Sequence, residues 1–171
     1  MRSHKSNKGF SLIELLIVVA IVGIISAIAI PNLLSSRRSA NEASALSTMR
    51  IIGSGQATYR ATAGGGTYGD LAALRNMNLV DQNVGAATIA GPGTPKSGYL
   101  FSVTNVAGVG VPAFDAIAQP SLHPTVNIIF ATGSRSFYVN EAGVMYYNIT
   151  DTAPTCTADD ARTVAGGSPL N

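Results

Sequence analysis

The stretch "KGFSLIELLIVVAIVGIISAIAIP", Lys8 to Pro31, decides how the N-terminal part of this 171-residue chain folds. From Phe10 to Ile30 it is almost unbroken apolar sequence, about 21 residues, which is long enough to cross the hydrocarbon core of a bilayer as an α-helix. Glu14 interrupts the run. An acidic residue at the centre of such a helix costs roughly 2.5 to 3.5 kcal/mol unless it is paired, neutralised or lifted to the interface. The sequence therefore predicts a membrane-spanning helix with a specific use for this carboxylate.

The charges are distributed unevenly around the apolar run. Arg2, Lys5 and Lys8 precede it, so the rest of the chain carries 8 basic and 9 acidic residues and has a net charge of about -1. A nucleic-acid-binding domain typically carries clustered cations on its folded part. The nearest such cluster is Arg37 with Arg38, which we interpret as a solvated helix face. The sequence thus predicts no direct nucleic-acid patch.

The nucleophiles and metal ligands are few. Cys156 is the only cysteine, so neither an intrachain disulfide nor a cysteine-based metal site can form. A Ser-His-Asp site would depend on His123, which lies between two prolines in "PSLHPT" and is interpreted as a loop residue. We therefore expect that the chain is not an enzyme and that it binds no cofactor. An anchored or secreted binding or enzymatic domain remains the alternative from another functional class.

Residues 31–63 are predicted to continue the helix with one apolar face. At 100° per residue, one set of side chains points in a common direction and another points away from it: Ala45, Met49, Ile52 and Tyr59 against Ser47, Arg50, Ser54 and Thr58. Pro31 removes one backbone hydrogen bond, so we expect a kink near Gly23 and Pro31. The glycines that begin at Gly64 are expected to end the helix.

The remaining sequence changes from helical to strand-like composition. Residues 64–96 read as a connecting loop with a short helix over Tyr68 to Asp81, in which Asp70 lies near the start. Residues 97–150 are predicted to form an antiparallel sheet, and residues 151–171 form a tail without periodicity. The predicted strands are Ser97–Val106, Thr125–Thr132 and a hairpin over Ser136–Asn148. Because such a sheet needs a cover, we predict an α+β fold in which the amphipathic helix packs on it.

Two general interpretations of the N-terminus compete with a more specific one. A secretory signal peptide would be cleaved after the small residues "AIA" at Ala27 to Ala29, and a permanent single-span anchor would keep its basic N-terminus cytoplasmic. The apolar run is longer than the usual 7 to 15 residues of a signal peptide, and it contains Glu14. Neither interpretation explains why glycine, phenylalanine and glutamate occur at these positions.

The segment "KGFSLIE", Lys8 to Glu14, resembles the processing signal of type IV pilins and of the pseudopilins of type II secretion, and is closest to type IVa-like pilins. The resemblance implies that residues 1–9 are a cleaved cationic leader ending in Gly9. It also implies that Phe10 is the N-methylated mature N-terminus and that Glu14 is the acid required for assembly. Pro31 would be the mature twenty-second residue, which is also proline in many members. The paired C-terminal cysteines of many pilins are absent.

The same resemblance implies a structural rather than an enzymatic role. The chain would be a single-pass inner-membrane protein with a cytoplasmic N-terminus, and would then enter an extracellular pilus or, in the alternative, the periplasmic pseudopilus of a type II secretion system. Its implied partners are other copies of itself, the prepilin peptidase that is also the N-methyltransferase, the inner-membrane assembly platform with its ATPase, and membrane lipid before assembly.

Two roles for Glu14 stay open from the sequence. Its carboxylate can pair with the new amine of Phe10 in a neighbouring subunit, or it can cap the first turn of its own helix.

A calcium site is suggested only by analogy with the major pseudopilin of type II secretion, which binds calcium in its C-terminal region. The candidates are Asp151, Asp159 and Asp160, whose spacing does not match an EF-hand loop. We therefore predict no metal.

Overall fold

A computed structural model describes residues 9–89, 93–106, 110–124, 129–150, 152–157 and 162–170. The chain divides into two units, residues 1–36 and 37–171. The basic residues of the predicted leader, Arg2, Lys5 and Lys8, lie outside the described residues.

The first unit contains the beginning of the long helix α1, Leu12–Ala61. Within the part of the chain that the structure describes, α1 is the one helix whose length and composition allow it to cross a membrane. Its large apolar side chains between Leu12 and Leu33 are all exposed, by at least 51%. Pro31 lies inside α1, and the kink expected there stays a prediction.

The second unit buries the predicted apolar face of α1. Ala45, Met49 and Ile52 have almost no exposed surface. The residues predicted to point the opposite way are all exposed: Ser47, Arg50, Ser54 and Thr58. The helix ends just before the glycine run, where the Gly64 N–H donates to the Tyr59 carbonyl at 2.7 Å. The amphipathic continuation of the helix is therefore confirmed.

Two short helices follow, α2 at Leu71–Asn76 and α3 at Gln82–Ala86. Asp70 begins α2 as predicted, because its Oδ1 accepts a hydrogen bond from the Ala73 N–H at 2.7 Å. The loop before α2 is fastened to α1 by buried Gln56, whose amide donates to the Gly69 carbonyl at 2.6 Å and accepts from the Gly69 N–H at 3.0 Å.

The described residues contain the strands β1 Tyr99–Val106, β2 Ala113–Pro120, β3 Ser136–Asn140, β4 Met145–Asn148, β5 Thr155–Cys156, β6 Val164–Ala165 and β7 Ser168–Pro169. Five of these described strands form an antiparallel sheet in the order β1-β2-β3-β4-β7. The other two described strands, β5 and β6, form a separate antiparallel pair. The predicted strand over Ser97–Val106 and the predicted hairpin over Ser136–Asn148 are confirmed.

One core joins helix and sheet. Tyr99, Phe101 and Val103 of β1 are buried in the same apolar cluster as Met49 and Ile52 of α1. The predicted alternation of β1 is thus correct, and the predicted α+β class with a helix packed on an antiparallel sheet is confirmed.

The prediction of a strand over Thr125–Thr132 is wrong in the part that can be compared. Residues 125–128 lie outside the described residues, whereas Ile129 and Phe130 form a turn and expose 59% and 68% of their surface. The strand that pairs with β1 is β2, Ala113–Pro120, in which Ala116 and Ala118 are completely buried. Packing in the core has overridden the strand propensity of the β-branched residues.

The C-terminal region contains more structure than the aperiodic tail suggested by its sequence. Its described residues include β5, β6 and β7, of which β7 pairs with β4 and so extends the sheet. Each of these strands has only two residues, which is too short for alternation to show in the sequence.

Candidate processing and assembly segment

The peptide bond predicted to be cleaved lies just before α1. Gly9, Phe10 and Ser11 are not helical, and the helix begins at Leu12. A Cβ added at Gly9 would meet nothing within 4 Å, and Phe10 is 86% exposed. An exposed, non-helical glycine lets an enzyme hold the backbone in an extended conformation. The local geometry is therefore compatible with cleavage between Gly9 and Phe10, which stays a prediction.

Glu14 contacts the start of its own helix. Its Oε2 accepts a hydrogen bond from the Ser11 backbone N–H at 2.9 Å, and the Leu15 N–H donates to the Ser11 carbonyl at 3.3 Å. This is the glutamate half of a capping box, in which the acid three residues after the N-cap reaches back to the N-cap N–H. The contact matches the helix-capping role of Glu14. Pairing with a neighbour's Phe10 amine stays a prediction, since the structure holds one chain.

Ser11 is the functional residue that the sequence reasoning missed. The pattern "SLIE", Ser11 to Glu14, is a recognisable capping-box sequence immediately before an apolar helix. This pattern by itself indicates Ser11 as a local partner for Glu14.

The first unit offers an apolar surface with small residues. Leu12, Leu15, Leu16 and Val19 line a shallow apolar groove on α1. A Cβ added at Gly23 would meet nothing within 4 Å, and Ala27 follows one turn later. Small residues spaced four apart allow two helices to approach closely in a membrane or a helical assembly. This surface is suited to packing against lipid or against other helices.

The other sequence candidates do not converge in the described residues. His123 is a buried loop residue whose Nε2 lies 3.2 Å from the Ser134 carbonyl oxygen. Cys156 is a half-buried free thiol. The calcium candidates Asp151, Asp159 and Asp160 lie outside the described residues. Among the residues with described positions, no group of three or more histidine, cysteine or acidic side chains could hold a metal ion.

Comparison with known proteins finds likeness to an N-terminal methylation motif and to type IV pilus proteins. The family model described as "Prokaryotic N-terminal methylation motif" matches residues 4–30. The chain is 58% identical over 38 residues to the type IV wide pilus major component PilA4 of Thermus thermophilus, which is 22% of this chain and 29% of that protein.

A second relative is the type IV major pilin protein PilA of Myxococcus xanthus. The two chains are 40% identical over 58 residues, which is 34% of this chain and 26% of that protein. The chain therefore spans less than a third of the length of either curated relative in these matches. No solved structure matches the chain significantly.

Proposed function

We propose that this chain, whose N-terminal segment is that of a type IV pilin, is a structural subunit of a type IV pilus-like filament and not an enzyme. The observation that carries the proposal is the methylation motif over residues 4–30, which covers Gly9, Phe10 and Glu14 together. The fold supports the proposal. The chain has an exposed apolar helix and an α+β unit with its own hydrophobic core, as a subunit needs that is first anchored in the membrane and later polymerised.

In this proposal the chain is processed at the cytoplasmic face of the inner membrane. A prepilin peptidase cleaves after Gly9, and the same enzyme methylates the new amine of Phe10. The resulting N-terminus is a cation four residues before Glu14. The exposure of Phe10 and the absence of helix at Gly9 support access of the enzyme.

During assembly the apolar part of α1 leaves the membrane lipid and enters a second apolar environment inside the filament. The helix spans the inner membrane with its N-terminus cytoplasmic until the assembly platform and its ATPase extract it into the filament. There the apolar half of α1 packs against the same half of other copies. Its uniform exposure in the single chain supports this step, since such a surface needs either lipid or protein around it.

Glu14→Gln and Glu14→Ala together test the role of the carboxylate. Glutamine keeps an acceptor for the Ser11 N–H but loses the charge, whereas alanine loses both. If the charge pairs with a neighbouring amine, both variants insert and are processed normally but give at least about tenfold fewer filaments. Sheared filaments are quantified by immunoblot, with membrane-inserted and processed chain as the control.

The two substitutions also separate the pairing role from the capping role. Normal filament yield from Glu14→Gln and reduced yield from Glu14→Ala would assign Glu14 to capping alone. Normal yield from both variants would contradict any role of this residue in assembly.

Gly9→Val tests the processing site. A β-branched side chain obstructs the extended grip on the backbone, so we expect the unprocessed precursor to accumulate in the membrane. Intact-mass measurement of the wild-type chain should show a methylated N-terminus at Phe10. A processed Gly9→Val product with the wild-type mature mass would contradict the requirement for glycine before this bond, and a wild-type chain that starts at Ile30 would instead indicate ordinary secretion.

A surface pilus is favoured over a pseudopilus because both relatives are described as pilus components. Filaments sheared from intact cells should contain this chain. Filaments found only in the periplasmic fraction would instead assign it to the pseudopilus.

A further inference from the structure

Arg162 links the C-terminal region to acidic residues of β2 and of the β3–β4 turn. The Arg162 guanidinium, 9% exposed, donates from Nε to Glu141 Oε1 at 2.8 Å and from Nη2 to Glu141 Oε2 at 2.9 Å. Nη2 also donates to Asp115 Oδ1 at 2.7 Å. Arg162 thus makes a two-pronged pair with one carboxylate and a close pair with a second, which is the strongest type of ion pair available to a protein.

The same guanidinium also binds backbone on both sides of the junction. Nη2 donates to the Phe114 carbonyl at 3.1 Å, and Nη1 donates to the Thr157 carbonyl at 3.3 Å. Phe114 belongs to β2, whereas Thr157 directly follows β5. Arg162 therefore connects the C-terminal residues to the sheet and to one another.

The other attachments of this region are short. Strand β7 contributes two residues to the edge of the sheet, and the Leu170 N–H donates to the Met145 carbonyl at 2.8 Å. Pro154 is buried. The chain has one cysteine, so no disulfide within the chain can hold the region in place. Among the described attachments, the charged contacts of Arg162 are the ones that cross from this region to β2 and to the β3–β4 turn.

We propose that Arg162, Glu141 and Asp115 form a clasp that keeps the C-terminal segment, defined as residues 152–157 and 162–170, docked on the sheet, and that protonation of Glu141 releases this segment in acid. This inference does not depend on the proposed function. In this inference an ion-pair cluster holds the C-terminal segment on the sheet, a task that a covalent cross-link could otherwise perform.

The groups that face the clasp set the pH range in which the C-terminal segment is released. Burial acts foremost to raise the pKa of Glu141, but the hydrogen bonds and charge of Arg162, together with hydrogen bonds from backbone N–H groups, outweigh it, so the pKa lies below its usual value of 4.5. A lowered pKa means that the stabilisation is complete above about pH 4.5 and is lost as the pH falls through the folded-state value. The hydrogen bonds that Arg162 donates to Glu141 foremost raise the pKa of Arg162, which stays charged throughout.

The neighbouring neutral groups do not titrate in this range. The Tyr138 hydroxyl donates to Asp115 Oδ1 at 2.6 Å. Burial foremost, and then this hydrogen bond, raise the pKa of Tyr138, so it remains a donor in acid and at neutral pH. The Asn140 amide lies 3.8 Å from the Cys156 sulfur. The acid-sensitive member of the cluster is therefore Glu141.

Cys156 provides a native probe of docking. It lies in β5 inside the C-terminal segment, is half-buried, and is the one thiol in the chain. We expect Arg162→Ala to increase the rate of maleimide labelling of the full chain in detergent by about tenfold or more at pH 7, because the segment opens more often. Arg50→Ala is the matched control, since it removes the same charge from an exposed helix position and should leave the rate unchanged.

Two further variants separate charge from geometry. Arg162→Lys keeps the positive charge but loses the planar, two-pronged donor geometry of the guanidinium. Its labelling rate should therefore lie between those of the wild type and Arg162→Ala. Glu141→Gln should also increase the labelling rate. If Arg162→Ala does not fold, the labelling rate of Glu141→Gln tests whether the clasp keeps the segment docked. Wild-type labelling rates in folded Arg162→Ala and Glu141→Gln, with unchanged circular dichroism, would overturn the proposal.

Hydrogen exchange tests the acid release. After correction for the intrinsic pH dependence of exchange, residues 152–157 and 162–170 of the wild type should lose protection relative to β1 between pH 5 and pH 3. In Arg162→Ala this loss should already be present at neutral pH, with no further acid step. An identical pH profile in the two chains would overturn the role of Glu141 in the release of the segment.

Discussion

At the scale of single residues, Gly133 sets the space for a large buried side chain of the sheet. Tyr99 is completely buried, and its hydroxyl donates to the Arg135 carbonyl at 2.8 Å. A Cβ at Gly133 would lie 2.6 Å from Tyr99 Cζ, well inside van der Waals contact. Because both the ring and its hydroxyl are fixed, the ring cannot move aside without losing a buried hydrogen bond.

We therefore expect Gly133→Ala to lower the free energy of unfolding by about 2 kcal/mol. The matched control is Gly53→Ala, at a helix position where an added Cβ meets nothing within 4 Å, and this change should raise stability by up to about 1 kcal/mol. Urea unfolding of the full chain in detergent, followed by tyrosine fluorescence, measures both. Equal effects of the two substitutions would contradict the close packing at Gly133.

The residues that sequence reasoning located best are those with a strong local pattern. The periodicity of α1 correctly predicted Ala45, Met49 and Ile52 as buried. It did not identify Gln56, a polar residue whose burial depends on the backbone of Gly69, 13 residues later. A side chain that pairs with loop backbone leaves no pattern of residue types to recognise.

At the scale of elements, the short helix α3 depends on the charge of its N-cap. Asp81 Oδ1 accepts a hydrogen bond from the Asn83 N–H at 3.2 Å, and its Oδ2 lies 3.5 Å from Lys96 Nζ. The hydrogen bond from Asn83 foremost, with a smaller contribution from Lys96, lowers the pKa of Asp81 below its usual value of 3.8. The cap is therefore formed above about pH 3.8 and is lost as the pH falls through the lowered folded-state pKa.

A carboxyl NMR titration should give Asp81 a midpoint below 3.8. Lys96→Ala should leave the midpoint below 3.8, because the backbone hydrogen bond is the larger cause. Asn83→Pro removes the donor at a first-turn position that tolerates proline, and should bring the midpoint back towards 3.8. A wild-type midpoint at or above 3.8 would contradict the capping contact.

Strand prediction succeeded and failed for identifiable reasons. Strand β1 alternates the buried residues Tyr99, Phe101 and Val103 with half-buried or exposed ones, so its pattern was clear. Strand β2 was missed because "AFDAIAQP" buries the small residues Ala116 and Ala118, which carry little hydrophobic signal. Ile129 and Phe130 carried the stronger signal yet lie in an exposed turn. Pairing with β1 and β3 places β2 in the sheet, and that information is not local.

At the scale of the whole molecule, every buried core residue belongs to the second unit. The buried apolar cluster begins at Ala45, whereas the large apolar side chains of residues 12–33 are exposed. We therefore expect a variant that begins at Arg37 to be soluble and folded without detergent. Size-exclusion chromatography and near-ultraviolet circular dichroism measure this, and the full chain should aggregate in the same buffer.

A shorter variant provides the control for this truncation. A chain that begins at Ser54 also lacks the apolar run but has lost Ala45, Met49 and Ile52, so it should not fold. If the chain that begins at Arg37 were equally unfolded, the core would depend on residues of the first unit.

Long-range charge contacts lie beyond sequence reasoning at this scale. Arg162 binds Asp115, 47 residues away, and Glu141, 21 residues away. Its own segment shows no periodicity, and any of the chain's acidic residues was an equal candidate partner. By contrast, the sequence allows a prediction for Gly9, Phe10 and Glu14, because these residues occupy adjacent positions in a short motif, and a methylation motif matches residues 4–30.

The last strand of the sheet, β7, affects whether crowded copies of this chain can associate edge to edge. Because the Leu170 N–H points inward to Met145, alternation turns the backbone of Pro169 outward, where it has no N–H to offer. At the opposite border, Lys96 and Ala87 already occupy backbone groups of Tyr99 and Phe101. Copies of this chain brought side by side at high local concentration are thus hindered from adding strand to strand, which disfavours amyloid-like association.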